Sequence, residues 1–135
     1  MPCFGVIALM LLLAGCGGEG GPAPKKVDVT AQVAALKGNG DAKASALSEL
    51  AAGGPNSSAA VNDILPLLKD EDPVVRRLAA YALGQIGPSA KAAIPGLTAM
   101  LQDNDSNAVT AALNAIRAID PSKAPGEAMP NTMSR

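Results

Sequence analysis

The 135-residue chain contains no histidine and no tryptophan, and Phe4 and Tyr81 are its only aromatic side chains. Without histidine it lacks the commonest general base and the commonest metal ligand, so no Ser/His/Asp or Cys/His catalytic set can be assembled. Cysteine is nearly as scarce. Cys3 and Cys16 both fall within the first sixteen residues, which excludes a disulfide framework. The formal net charge is -1, so no field of one sign recruits nucleic acid. No Gly-rich phosphate loop follows a strand pattern, since Gly17, Gly18, Gly20 and Gly21 lie in a Gly/Pro-rich stretch. The hydrophobic fraction is 48%, but much of it is alanine, so the core cannot be built around large rings. Such a chain must pack helices closely, with small side chains letting the backbones approach, and alanine has the best helix propensity. The length leaves room for one domain plus tails.

What is present centres on Asp70–Pro88, DEDPVVRRLAAYALGQIGP. Asp72 is placed to cap a helix with its side-chain oxygen, and Pro73 occupies the first helical position, where its missing N–H costs nothing. Val75, Ala79, Leu83 and Ile86 recur at spacings of four, four and three and share one helical face. Gly87 and Pro88 end the helix.

The plan repeats at a period of 33: Gly54-Pro55 falls on Gly87-Pro88, Ala59-Ala60-Val61 on Ala92-Ala93-Ile94, and Asp70 and Asp72 on Asp103 and Asp105. Ala79, Ala82, Leu83 and Ile86 fall on Ala112, Ala115, Ile116 and Ile119. Matches lie at apolar and turn positions while solvent-side positions differ, as packing demands. Each unit therefore holds two helices, expected over about 57–69 and 73–86, then 90–102 and 106–119. Val61, Ile64, Leu65 and Leu68, then Ile94, Leu97 and Leu101, give the first helices their apolar face. Short acidic turns force the paired helices to run antiparallel. A lone pair exposes its greasy face, so stability needs stacking of neighbours.

The middle unit resembles a HEAT repeat, particularly the short bacterial form also seen in phycocyanobilin lyases. The residues that carry the likeness are Asp70, Val75-Arg76, Ala79-Ala80, Ala82-Leu83-Gly84 and Ile86-Gly87. The third unit keeps Asp103 and has the family's first-helix proline at Pro95, but carries Val109 where the family has Arg or Lys. The first unit, about 28–54, has Val33, Leu36, Leu47 and Leu50, with Lys43 at the arginine position and Lys37 in place of the turn aspartate. The resemblance implies an all-α, right-handed α-α superhelix of about three helical hairpins over 28–120, with units at 28–54, 55–87 and 88–120. It also implies a ladder in which Arg76 bonds Asp70 or Asp103 and Lys43 bonds Asp70.

Residues 4–14, FGVIALMLLLA, form an apolar run too short to span a bilayer and of the length of a signal-peptide core. Leu13-Ala14-Gly15-Cys16 follows directly and resembles the lipobox of bacterial lipoproteins. The segment before the run, Met1-Pro2-Cys3, departs from that pattern in carrying no Lys or Arg. The resemblance implies a signal peptide over 1–15, lipidation of Cys16 and anchoring by two or three acyl chains. Residues 16–27 then read as a flexible tether and 121–135 as a disordered tail. Gly17, where an inner-membrane retention aspartate would stand, is compatible with the outer membrane; the expected address is the bacterial cell envelope, periplasmic or outer-membrane associated.

No residue set reads as catalytic, cofactor-binding or metal-binding. Asp70, Glu71 and Asp72, with Asp103 and Asp105, form an acidic edge, but three consecutive acids cannot all converge on one calcium. Tyr81 reads either as an exposed contact on the inner, concave face or as the filler of a groove, and Arg77 either as a second contact on that face or as a solvated side chain. The expected function is a non-enzymatic, lipid-anchored scaffold that binds a protein partner. The alternatives are an adaptor or lyase-type chaperone subunit of an enzyme complex, and self-association through an open apolar end.

Overall fold

The computed structural model describes residues 26–125. The signal peptide expected over 1–15, Cys16, the tether up to residue 25 and the last ten residues lie outside the described residues. Helices α1 (Val29–Ala35) and α2 (Gly40–Gly53) form the first unit. α3 (Val61–Ile64) and α4 (Pro73–Ile86) form the second, and α5 (Ile94–Met100) and α6 (Ser106–Ile119) the third. Among the described residues there is no strand. The three second helices stack side by side: α4 packs against α2 on one flank and α6 on the other. The result is an all-α solenoid of helical hairpins with one continuous apolar core running from Leu36 to Ile119.

The second helices follow from their sequence. Asp72 accepts from the Val74 amide at 2.8 Å, and its counterpart Asp105 accepts from the Asn107 amide at 3.0 Å. Pro73 stands at the start of α4. Val75, Ala79, Leu83 and Ile86 are all fully buried, so the stripe read from spacing is the packed face. α2 is capped instead by Asn39, which accepts from Ala42 at 2.9 Å.

The first helices differ from the continuous helices expected over 57–69 and 90–102. In the second unit Gly54–Ala60 and Leu65–Lys69 are 3₁₀ turns and only Val61–Ile64 is α-helical. Pro66 explains the break, because it cannot donate to the turn before it and its ring crowds that turn's carbonyl. In the third unit the equivalent position is Ala99, the proline moves to Pro95 near the helix start, and the α-helix lengthens to Ile94–Met100 after a 3₁₀ stretch over Gly87–Ala93.

The edges of the domain also shift. Val27, expected at the end of the tether, packs on the core and lies against Gly53. Residues 121–124, expected within the tail, are ordered: Asp120 caps a 3₁₀ turn at Pro121–Lys123 through the Ser122 amide at 3.1 Å, and Ala124 returns to the core.

Gly54 and Gly87 close α2 and α4 with φ of 52° and 74°, each just before a proline. A Cβ at Gly87 would meet nothing within 4 Å, so the backbone alone demands glycine there. Gly87→Ala is expected to lower stability by about 1–3 kcal/mol with no change in helical content. A thermal melt checks this; a melting temperature equal to wild type would mean the turn has no such constraint.

Candidate functional site

Two features of the surface are built by the repeat: a charged ladder along the turns and a groove-bearing face along the second helices. The cations of the ladder stand in the first turns of α2 and α4. Lys43 Nζ lies 2.7 Å from Asp70 Oδ2. One unit on, Arg76 Nε donates to Asp103 Oδ2 at 2.7 Å and Nη2 to Asp103 Oδ1 at 3.1 Å. Arg76 Nη1 turns back to the carbonyl oxygens of Asp70, at 2.7 Å, and Glu71, at 3.1 Å. Arg76 thus touches both aspartates considered for it, one through its carboxylate and the other through its backbone. The planar guanidinium makes this possible, since one fork can meet a carboxylate bidentately and still aim a third N–H elsewhere.

The aspartates do a second task. Asp70 Oδ1 accepts from the Asp72 amide at 3.1 Å and Asp103 Oδ1 from the Asp105 amide at 2.9 Å, fixing each turn so that the following residue can cap its helix. The Lys43 hydrogen bond is the main influence holding the Asp70 carboxyl below its ordinary value, against the pull of burial. For Asp103 the Asp105 amide comes first and the Arg76 guanidinium second. The acidic edge is therefore engaged with its own turns and cations, and among the described residues no three His, Cys, Asp or Glu side chains are grouped to hold a metal ion.

The other surface is the row of second helices. Arg77, Tyr81 and Gln85 lie one turn apart along α4, and all three are exposed, Tyr81 by 52%. A groove of about 660 Å³ separates them from Asn107, Thr110 and Asn114 of α6. Its floor is narrow because α4 and α6 approach closely at Gly84, where a Cβ would come within 3.1 Å of the Ala115 Cα. On the other flank Tyr81 and Gln85 share a second groove with Ser48, Ala52 and Pro55. Tyr81 is thus both an exposed ridge and a wall of two grooves. Arg77 lines the first groove and makes no ion pair within the described residues.

Sequence reasoning placed Tyr81 and Arg77 here but missed the polar row on α6. The signal was available: Thr110 and Asn114 are the 33-residue counterparts of Arg77 and Tyr81, and Ser48 is that of Tyr81 in the first unit. The period therefore assigns all of them to one face once Tyr81 is assigned. Cys16 lies outside the described residues.

Comparison with known proteins agrees with the architecture. A family model described as HEAT repeats matches residues 27–120. No curated protein and no solved structure matches the chain. With stacked hairpins, the Arg–Asp ladder and a match over most of its length, the chain belongs to the HEAT-repeat family, whose repeats generally serve as protein-interaction scaffolds.

Proposed function

We propose that the chain is a lipid-anchored scaffold that binds a partner protein at a bacterial membrane through the face of its second helices. The carrying observation is Tyr81, the most exposed large apolar side chain among the described residues, standing between two grooves. Tyrosine and arginine are the side chains that most often anchor protein interfaces, because each combines large contact area with a hydrogen-bonding tip. Here Tyr81 and Arg77 sit one turn apart on a rigid helix whose opposite face is locked in the core. The ladder fixes the spacing of the helices, so the face needs no ordering on binding. The attachment in this reading rests on Cys16; no described helix is long and apolar enough to cross a membrane.

The test pairs address with contact. Full-length chain and its Cys16→Ser, Tyr81→Ala and Arg77→Ala variants are expressed in bacteria, fractionated and used to capture partners from membranes after cross-linking. Cys16→Ser is expected to lose palmitate labelling and move to the soluble fraction. Tyr81→Ala is expected to reduce capture about tenfold or more, as for an anchoring aromatic, with an unchanged melting temperature. Membrane retention of Cys16→Ser would overturn the anchor. Capture indifferent to both face variants would overturn the binding face.

A further inference from the structure

The outer face of the third unit has an unusual composition. In the middle unit, the α4 positions that meet the next unit are Arg76, which reaches Asp103, the fully buried Ala80, and Gly84, which lies against Ala115. Adding 33 places Val109, Leu113 and Arg117 at the same positions on α6, in the last helical hairpin among the described residues. Leu68 meets Gly96 of the next unit; its counterpart is Leu101, and that of buried Val61 is Ile94. Val109, Leu113, Ile94 and Leu101 are all partly exposed. A terminal unit normally turns a polar face outward. This one replaces a cation by valine and alanine by leucine.

Two of those changes remove the features by which the middle unit holds the third. Val109 has no cation to give to a following turn aspartate, and Arg117 fills the place where Gly84 let the helices approach. The same changes suit a two-fold contact, in which a charge near the axis would face itself. Antiparallel α6 helices related at the level of Ala111 bring Val109 opposite Leu113 of the other copy, since each lies two residues from that point. They also bring Arg117 opposite Asp105, each six residues away. The apolar pair falls at the centre and the opposite charges at the rim, which is the arrangement of a stable interface.

We propose that the C-terminal end of the stack docks a second copy of this chain, α6 against α6, with Ile94 and Leu101 of α5 flanking the contact. This is independent of the partner-binding face, which lies on the other exposed side of α6. Two helices of this length side by side offer a face about 20 Å across each way, so the contact is of the small class, with a dissociation constant of about micromolar or weaker.

Sedimentation velocity of the full chain in mild detergent, over a concentration series, tests it; the N-terminal segment is common to every variant. Wild type is expected to pass from monomer to dimer. Leu113→Lys should raise the dissociation constant about tenfold or more. Asp105→Asn keeps the helix cap and Arg117→Gln touches no core residue; each should weaken the dimer, most clearly at low salt, and the double variant should be no weaker than the worse single. These two carry the test if Leu113→Lys fails to fold. A chain monomeric throughout, or a dimer indifferent to the variants, overturns the proposal. So does a monomer that dimerises only after removal of residues 126–135, which would assign the face to that segment.

Discussion

Leu83→Asp is expected to abolish the cooperative helical melt. Leu83 is fully buried in the last turn of the central helix, with units packed on both flanks of α4. Truncation to alanine alone removes buried hydrocarbon and leaves a cavity, at a cost of about 2–5 kcal/mol. Aspartate adds an ionised carboxylate with no cation in reach, since Lys43 and Arg76 are engaged at the opposite turn. A domain of this size holds about 5–15 kcal/mol in total, so Leu83→Ala should fold with a lowered melting temperature while Leu83→Asp should not fold. The loss should also be a single step. A split at the central unit leaves one hairpin on each side, and repeats of this kind need about three to bury their faces. Circular dichroism of the two variants reads this directly. A Leu83→Asp chain with the wild-type signal and melting temperature would place Leu83 outside the core and undo the stacked arrangement.

Leu83 was legible because its period was. Positions constrained by packing repeat at 33, so the buried stripe, the caps at Asp72 and Asp105 and the glycine stops at Gly54 and Gly87 could all be read from the chain. The ladder was legible as residue types; its geometry was less so. Spacing allows Arg76 to reach either aspartate, and in the structure it spans both, because the fork of one guanidinium can serve two partners at once. The breaks in the first helices were illegible for a different reason. Apolar residues at Val61, Ile64 and Leu68 keep helical spacing whether the backbone is α or 3₁₀, and Pro66 decides between them locally. The groove was legible in position but not in residue type, because its residues face solvent, where nothing forces the repeats to agree: Tyr81 in one unit is Asn114 in the next.

Arg76→Ala is expected to lower the melting temperature by about 5–10 °C, and Lys43→Ala by a few degrees at most, on the order of a single exposed ion pair. The difference follows from the bonds each cation makes. Lys43 makes one contact, to Asp70 Oδ2, whereas Arg76 satisfies two carboxylate oxygens and two backbone carbonyls across two turns. Asp103 in turn has a bond that Arg76 does not share, from the Asp105 amide. Combining Arg76→Ala with Asp103→Ala should therefore cost less than the sum of the singles, since the two shared bonds are lost only once; strict additivity would refute the ladder. Acid sharpens the comparison. Asp70 and Asp103 titrate below their ordinary values in the folded chain, so their contribution is complete above about pH 4–5 and disappears as pH falls through the folded values. Asp120, held down chiefly by the Ser122 hydroxyl, loses its contribution in the same acid range and does so in every variant. Wild type should thus hold a constant melting temperature from neutral pH to about pH 5 and lose it below about pH 4, and Arg76→Ala should show a shallower loss, because part of what acid removes is already gone. Equal acid slopes in the two chains would mean that the guanidinium does not stabilise the ionised turn, and that the spacing of the units is set by the apolar core alone.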